Sequence, residues 1–172
     1  MEWKYESVDT VEYLYLHDCE CSRIYNENNN LVMLMEWMEV LETHPDNPYS
    51  EAHQSGNGMI ELLKCDIIHL EHNIGEEKIL IASLEEIDFY AFEILDFDIE
   101  KVQRNYRAKI YMLKTSPQKQ FEDISIELIF KKSRTKFNEL NDVSWFVDFN
   151  NGKNIDLSEI NLRRKYADAY TK

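Results

Sequence analysis

A chain of 172 residues, 44% apolar and 30% charged, with four glycines and three prolines, reads as one globular domain spanning 1–172. Disorder and a long flexible linker are excluded by that balance. A net charge of −14 makes phosphate repulsive over most of the surface, so direct nucleic-acid binding is not expected.

The first residues, MEWKYESVDT, are polar and acidic, unlike the basic and apolar regions of a signal peptide. No apolar run approaches the roughly 18 residues of a membrane span. The expected compartment is the cytoplasm, with Cys19, Cys21 and Cys65 as reduced thiols and no membrane partner. Composition does not set an oligomeric state.

Period-two alternation dominates the chain. Val11, Tyr13, Tyr15 and His17 fall on one face of a predicted first strand. A second strand, about Cys21 to Asn26, leads into NENNN, where asparagines tolerate the left-handed backbone of a hairpin turn. The return, LVMLMEWMEV, is apolar on both faces and reads as a central strand. Residues 42–58 then form a long loop without periodicity.

Further strands are expected at MIELLKCDI and KILIASL. Ile87 to Ile99 and Tyr106 to Leu113 should pair as a hairpin, setting Asp96, Asp98 and Glu100 against Asn105, Arg107 and Lys109. ISIELIF places Ile124, Ile126, Leu128 and Phe130 on one face, and VSWFVDF does the same with Val143, Trp145, Val147 and Phe149. Asp156 and Glu159 have the spacing of a capping box, predicting a helix over about 157–170. The fold class is therefore all-β: some eight or nine mainly antiparallel strands, as a sandwich or partly closed barrel, with one C-terminal α-helix.

Two groups have metal-binding chemistry. His17, Cys19 and Cys21 share a face of an extended strand; Cys65, His69 and His72 share a face if CDIIHLEH is a short helix, whereas in a strand His69 shares a face with Cys65 and His72 does not. Structural zinc sites usually draw ligands as two pairs, and cysteine is often buried for packing alone. The expectation is therefore no metal and no cofactor, with these six residues as the alternative. His44, Asp46, Tyr49, Glu51 and His53 could serve acid–base chemistry from the long loop, against the simpler reading of a solvated loop. No G-x-S-x-G, Walker or H-E-x-x-H motif is present, and no catalytic residue is assigned.

Charge is distributed unevenly. Residues 1–100 hold 24 Asp and Glu against 4 Lys and Arg, whereas 101–172 hold 9 against 15. Glu36, Glu39, Glu42, Asp46 and Glu51 run from the central strand into the loop and are expected to border an acidic, partner-binding rim. In composition the chain resembles bacterial immunity proteins, toxin antidotes and phage-encoded inhibitors. That likeness implies a non-enzymatic protein-binding module engaging a basic partner, such as a nuclease or another nucleic-acid-binding protein. The alternative is a metal-dependent enzyme or zinc-stabilised fold using the Cys and His clusters, and a third reading is a structural or assembly protein.

Overall fold

The alternation along the sequence becomes mainly antiparallel β structure among the described residues. The computed structural model describes residues 2–80, 83–87, 92–114, 121–148 and 153–154. Its first half carries β1 (Tyr5–Val8), β2 (Leu14–Tyr15), β3 (Glu20–Glu27), β4 (Asn30–Met35), β5 (Glu39–Val40), β6 (His53–Ser55), β7 (Gly58–Leu63) and β8 (Asp66–Ile74). The second carries β9 (Glu77–Leu80), β10 (Phe92–Val102), β11 (Asn105–Lys114), β12 (Glu122–Phe130), β13 (Lys132–Phe137), β14 (Leu140–Val143), β15 (Val147–Asp148) and β16 (Lys153–Asn154). Short 3₁₀ turns at Val11–Tyr13 and Leu84–Glu86 are the helical elements among the described residues. The helix expected over 157–170 lies outside the described residues. No helix among them is long and apolar enough to cross a membrane.

Ten strands form one sheet in the order β1-β13-β7-β4-β3-β10-β11-β12-β8-β9, and β14-β6-β5-β2 form a second. Two long segments organise the larger sheet. β7 runs into β8 through Lys64 and Cys65, while β12 runs into β13 through Lys131. Their ladder keeps one register around this corner, with Gly58 opposite Phe137, Leu63 opposite Lys132 and Asp66 opposite Ile129. From β7 the pairing passes through β4 to β3, and from β12 through β11 to β10. Phe92 and Glu93 of β10 then meet Cys21 and Glu20 of β3. The strand pairs thus close a circuit, as in a barrel, and leave β1 and β9 as edges.

Local chemistry makes the corner. Lys64 takes a left-handed conformation (φ 53°), which re-aims the strand. Its N–H is received by Asn30 Oδ1 at 3.0 Å, and the next N–H, of Cys65, by the Asn29 carbonyl at 2.7 Å. Both long segments change the parity of their buried side chains here: Leu62 gives way to Cys65, and Phe130 to Ser133. Asn28 and Asn29 both have positive φ (52° and 62°), as a two-residue hairpin turn between right-twisted strands requires. NENNN is therefore the turn its asparagines predict.

The expected hairpin of β10 and β11 is present, turning at Gln103 and Arg104, with Asp98 opposite Lys109 and Glu100 opposite Arg107. Arg107 also bonds Glu127 on β12 through its Nε at 2.5 Å. Ile124, Ile126, Leu128 and Phe130 all face the core, as ISIELIF implies.

Four segments differ from expectation. LVMLMEWMEV is not one central strand: it breaks over 36–38 into β4 of the larger sheet and β5 of the smaller. Val11–Asp18 is not one strand: a 3₁₀ turn occupies Val11–Tyr13, only Leu14–Tyr15 extends, and Asp18 (φ 64°) turns away. VSWFVDF is broken by a turn after Val143, which buries Phe146 and leaves Trp145 47% exposed. The long loop is interrupted by β6. Strand β13 (KSRTKF) escaped the pattern because its inward residues are Ser133, Thr135 and Phe137, and only the last is apolar. The strand's other edge is covered by β1, whose Tyr5 ring stacks on Phe137 at 4.9 Å.

The ring predicts where truncation is costly. Ile60 on β7 is fully buried, so Ile60→Ala should destabilise the protein by about 2–5 kcal/mol. Ile68 on β8 is 53% exposed, and Ile68→Ala should cost under ~1 kcal/mol. Urea denaturation of the two variants checks the difference, and equal losses would contradict the burial assigned here.

Candidate functional site

The smaller sheet is seated on the ring by a close approach. A Cβ at Gly58 would lie 2.3 Å from the Met38 methyl and 3.0 Å from the Lys136 carbonyl oxygen, so a side chain here would displace Met38 and crowd β13, and glycine lets this segment settle closely against β7 and β13. Across the sheet, Leu14, Val40, His53 and Val143 form one row, and Tyr15, Glu39 and Gln54 form the next. Leu14 and Val40 join the main core. On the other side, Phe146 and Val147 gather Tyr15, Leu41 and Val143 into a second, small core.

Glu39 is inside this arrangement, 1% exposed, and so does not belong to the exposed rim expected of it. Ser144 donates its hydroxyl to Glu Oε2 at 2.5 Å, and Gln54 donates its amide to Oε1 at 3.3 Å. Burial pushes the Glu39 carboxyl above its ordinary range, with both donors opposing the shift. These bonds tie the turn after β14 to β5 and have no exposed reacting atom. Within EWMEVL the acid stands between apolar neighbours on both sides, the one signal that it would be buried.

Glu36 and Glu42 are exposed, and Asp46 and Glu51 half-buried. The loop that carries the last three is clamped rather than loosely solvated. Asn47, itself buried, places its Nδ2 within 3.0–3.1 Å of the Val40, Leu41 and Glu51 carbonyls, and its Oδ1 accepts from the Tyr49 N–H at 3.0 Å. His44 is buried, accepts the Asp46 N–H on Nδ1 at 3.1 Å, and sets its ring against Phe137. Burial lowers its pKa, against the pull of Asp46, so it is held neutral. His53 donates Nδ1–H to the Asn141 carbonyl at 3.2 Å, beneath a stacked Tyr49 ring 4.0 Å away. These histidines are fixed as parts of the scaffold.

The two metal-ligand groups are taken apart by the fold. Cys19 and Cys21 are buried in the core, whereas His17 turns aside, bonding the Leu95 carbonyl through Nδ1 and lying 3.0 Å from Asp18. CDIIHLEH is strand, not helix, with an irregularity in the ladder between Glu127 and Leu128. His72 points inward to Glu122 at 3.0 Å, His69 outward beside Glu71, and Cys65 sits at the corner. Among the described residues no three His, Cys, Asp or Glu side chains converge as metal ligands. Burial raises the pKa of all three thiols, that of Cys21 to about 12 and that of Cys65 to about 11.

What the smaller sheet does present is charge of one sign beside aromatic surface. Segments 13–18, 36–57 and 138–148, which build it, hold nine Asp and Glu, of which Glu39 is buried, and no Lys or Arg. Trp145 and Tyr49 are each almost half exposed there, and Trp145 leans on Tyr15 and Phe146. No protein-family model matches this sequence, and neither a curated protein nor a solved structure shows significant similarity to it.

Two outcomes follow from the buried groups. A raised folded-state pKa at Glu39 gives stability that is complete below the usual carboxylate pKa and lost as pH rises through the folded value. Glu39→Gln keeps hydrogen-bonding capacity without the charge, so its stability relative to wild type should improve between pH 4.5 and pH 7; a difference that does not move with pH would contradict the shift. The thiols should resist iodoacetamide in the folded protein at pH 7 and react fully in denaturant, which mass spectrometry of the alkylated chain reads directly.

Proposed function

We propose that this chain is a non-enzymatic, acidic protein-binding module of the immunity or inhibitor kind, whose smaller sheet engages a basic protein. The observation that carries this reading is the cation-free character of that sheet and its loops. Elsewhere the skew in the sequence is offset by cross-strand contacts: Glu61 is paired with Arg134 and Lys136, Glu122 with Lys114, and Glu127 with Arg107. No such offset comes from the segments of the smaller sheet themselves, where every formal charge apart from histidine is negative.

A surface of this kind suits a partner rich in arginine or lysine, such as a nuclease or another nucleic-acid-binding protein. Complementary charge accelerates encounter, and a half-exposed Trp145 offers both contact area and a face for a cation. Glu36, Glu42, Asp46 and Glu51 border the proposed contact.

An oligo-arginine peptide is a sufficient probe. The association rate, measured by stopped-flow fluorescence, should fall roughly tenfold when Glu36 and Glu42 are both replaced by lysine, with a smaller change in dissociation. Raising salt beyond about 0.1 M should reproduce the effect, because the Debye length is then near 10 Å or less. Association that ignores both salt and these reversals would refute the acidic-surface reading.

A further inference from the structure

The protein's remaining charge asymmetry lies at the corner of the long segments, not on the smaller sheet. Lys64, Lys101, Arg104, Lys131 and Lys132 meet where the β10–β11 hairpin tip reaches the bend between β12 and β13. The meeting is set by register. Tyr106 is opposite Phe130, so Asn105 and Lys131 are the next positions along the same two strands, and Lys132 is opposite Leu63, beside Lys64. Lys101 is opposite Tyr106, and its ammonium lies 5.9 Å from that ring's centre. In a chain with 33 acids, none of these five cations makes an ion pair among the described residues. Lys78, Arg107, Lys114, Arg134 and Lys136 all do. Glu100, the nearest acid along the hairpin strand, faces Arg107 at 3.7 Å.

Between the hairpin tip and the corner is a concavity of about 760 Å³, lined by Gln103, Arg104, Asn105 and Lys131. All four side chains can donate hydrogen bonds: one guanidinium, one ammonium and two carboxamides. Among the described residues no carboxylate lines it. The backbone on which these groups stand is held by the β10–β11 and β11–β12 ladders and by the bond from the Lys131 N–H to the Leu63 carbonyl at 2.9 Å. A doubly cationic recess on a fixed frame, with carboxamide donors beside the cations, is complementary to an anion with several oxygens. Its size exceeds one phosphate and falls within the range of small-ligand sites.

We infer that this recess binds a short polyphosphate, free or as part of a nucleotide, with Arg104 and Lys131 as the charged contacts. A long nucleic acid is a poorer occupant, since a polyanion leaving the recess would run over a molecule of net charge −14. The recess is lined by residues of the larger sheet, not by the smaller sheet's strands, and does not rest on the protein-binding reading.

Calorimetric titration with tripolyphosphate and with ATP at low salt tests it. Both should give saturable one-site binding, and Arg104→Gln with Lys131→Gln should weaken it at least roughly tenfold. Lys109→Gln, which removes one positive charge from β11 outside the recess, should leave affinity within about twofold, whereas Arg104→Gln or Lys131→Gln alone should weaken it more. Equal affinity for the two ligands assigns recognition to the phosphate chain, and tighter ATP binding assigns it to the nucleotide. Absence of saturable binding, or binding indifferent to the double variant, overturns the proposal. So does a single-stranded oligonucleotide that binds far tighter than either ligand and loses that affinity in the double variant. The Glu36 and Glu42 reversals should not reduce triphosphate binding, so the two readings fail separately.

Discussion

Everything in this molecule hangs on one ladder, the antiparallel pairing of residues 58–74 with 122–137, which holds its register through a bend and shifts at one irregularity beyond it, between Glu127 and Leu128. An isolated pair of strands would be marginal in water, and a flat sheet of ten strands would present broad apolar faces. Bending two neighbours together at Lys64 and Lys131 solves both difficulties, because each half of the ladder recruits its own companions: β4 and β3 on one side, β11 and β10 on the other. Where those companions meet, at Cys21 and Phe92, two fully buried side chains close the circuit. The core is thus enclosed by strands that are near in space but far apart in sequence.

That long-range pairing also explains how a chain so unevenly charged can fold. The acid-rich first part and the base-rich second part lie side by side along the ladder, so Glu61 finds Arg134 and Lys136 across it. Neutralisation stops where the ladder stops. The smaller sheet draws its strands from acid-only segments and stays negative, while the corner, built where lysines punctuate both long segments, stays positive. Polarity of the surface is therefore a product of topology more than of composition.

Much of the larger sheet was legible in the sequence. Period two is unambiguous where inward residues are large and apolar, as at Ile124 to Phe130, and a hairpin declares itself when opposite charges align, as for Asp98 with Lys109. The asparagines before β4 told their own turn. Legibility failed where burial relies on polar groups: β6 turns His53 and Ser55 inward, where His53 Nδ1 and Ser55 Oγ are hydrogen-bonded, leaving no hydrophobic trace. It failed again at Val11 to His17, where alternating large residues suit a 3₁₀ turn followed by two extended residues as readily as a strand. Of the acidic rim, four residues remained accessible, and Glu39 was lost because its partner Ser144 is 105 positions away. The basic recess was invisible for the same reason, since Arg104 and Lys131 become neighbours only once β11 and β12 are in register.

Gly58 and the bend together bear on how this protein can be taken apart. Each long segment belongs to both halves of the ring, so a cut within either segment leaves neither half with all its strands. Loss of order in one half deprives the other of two strands at once. Hydrogen exchange in the buried ladder should accordingly be governed by a single global opening, with local opening confined to the edges β1 and β9.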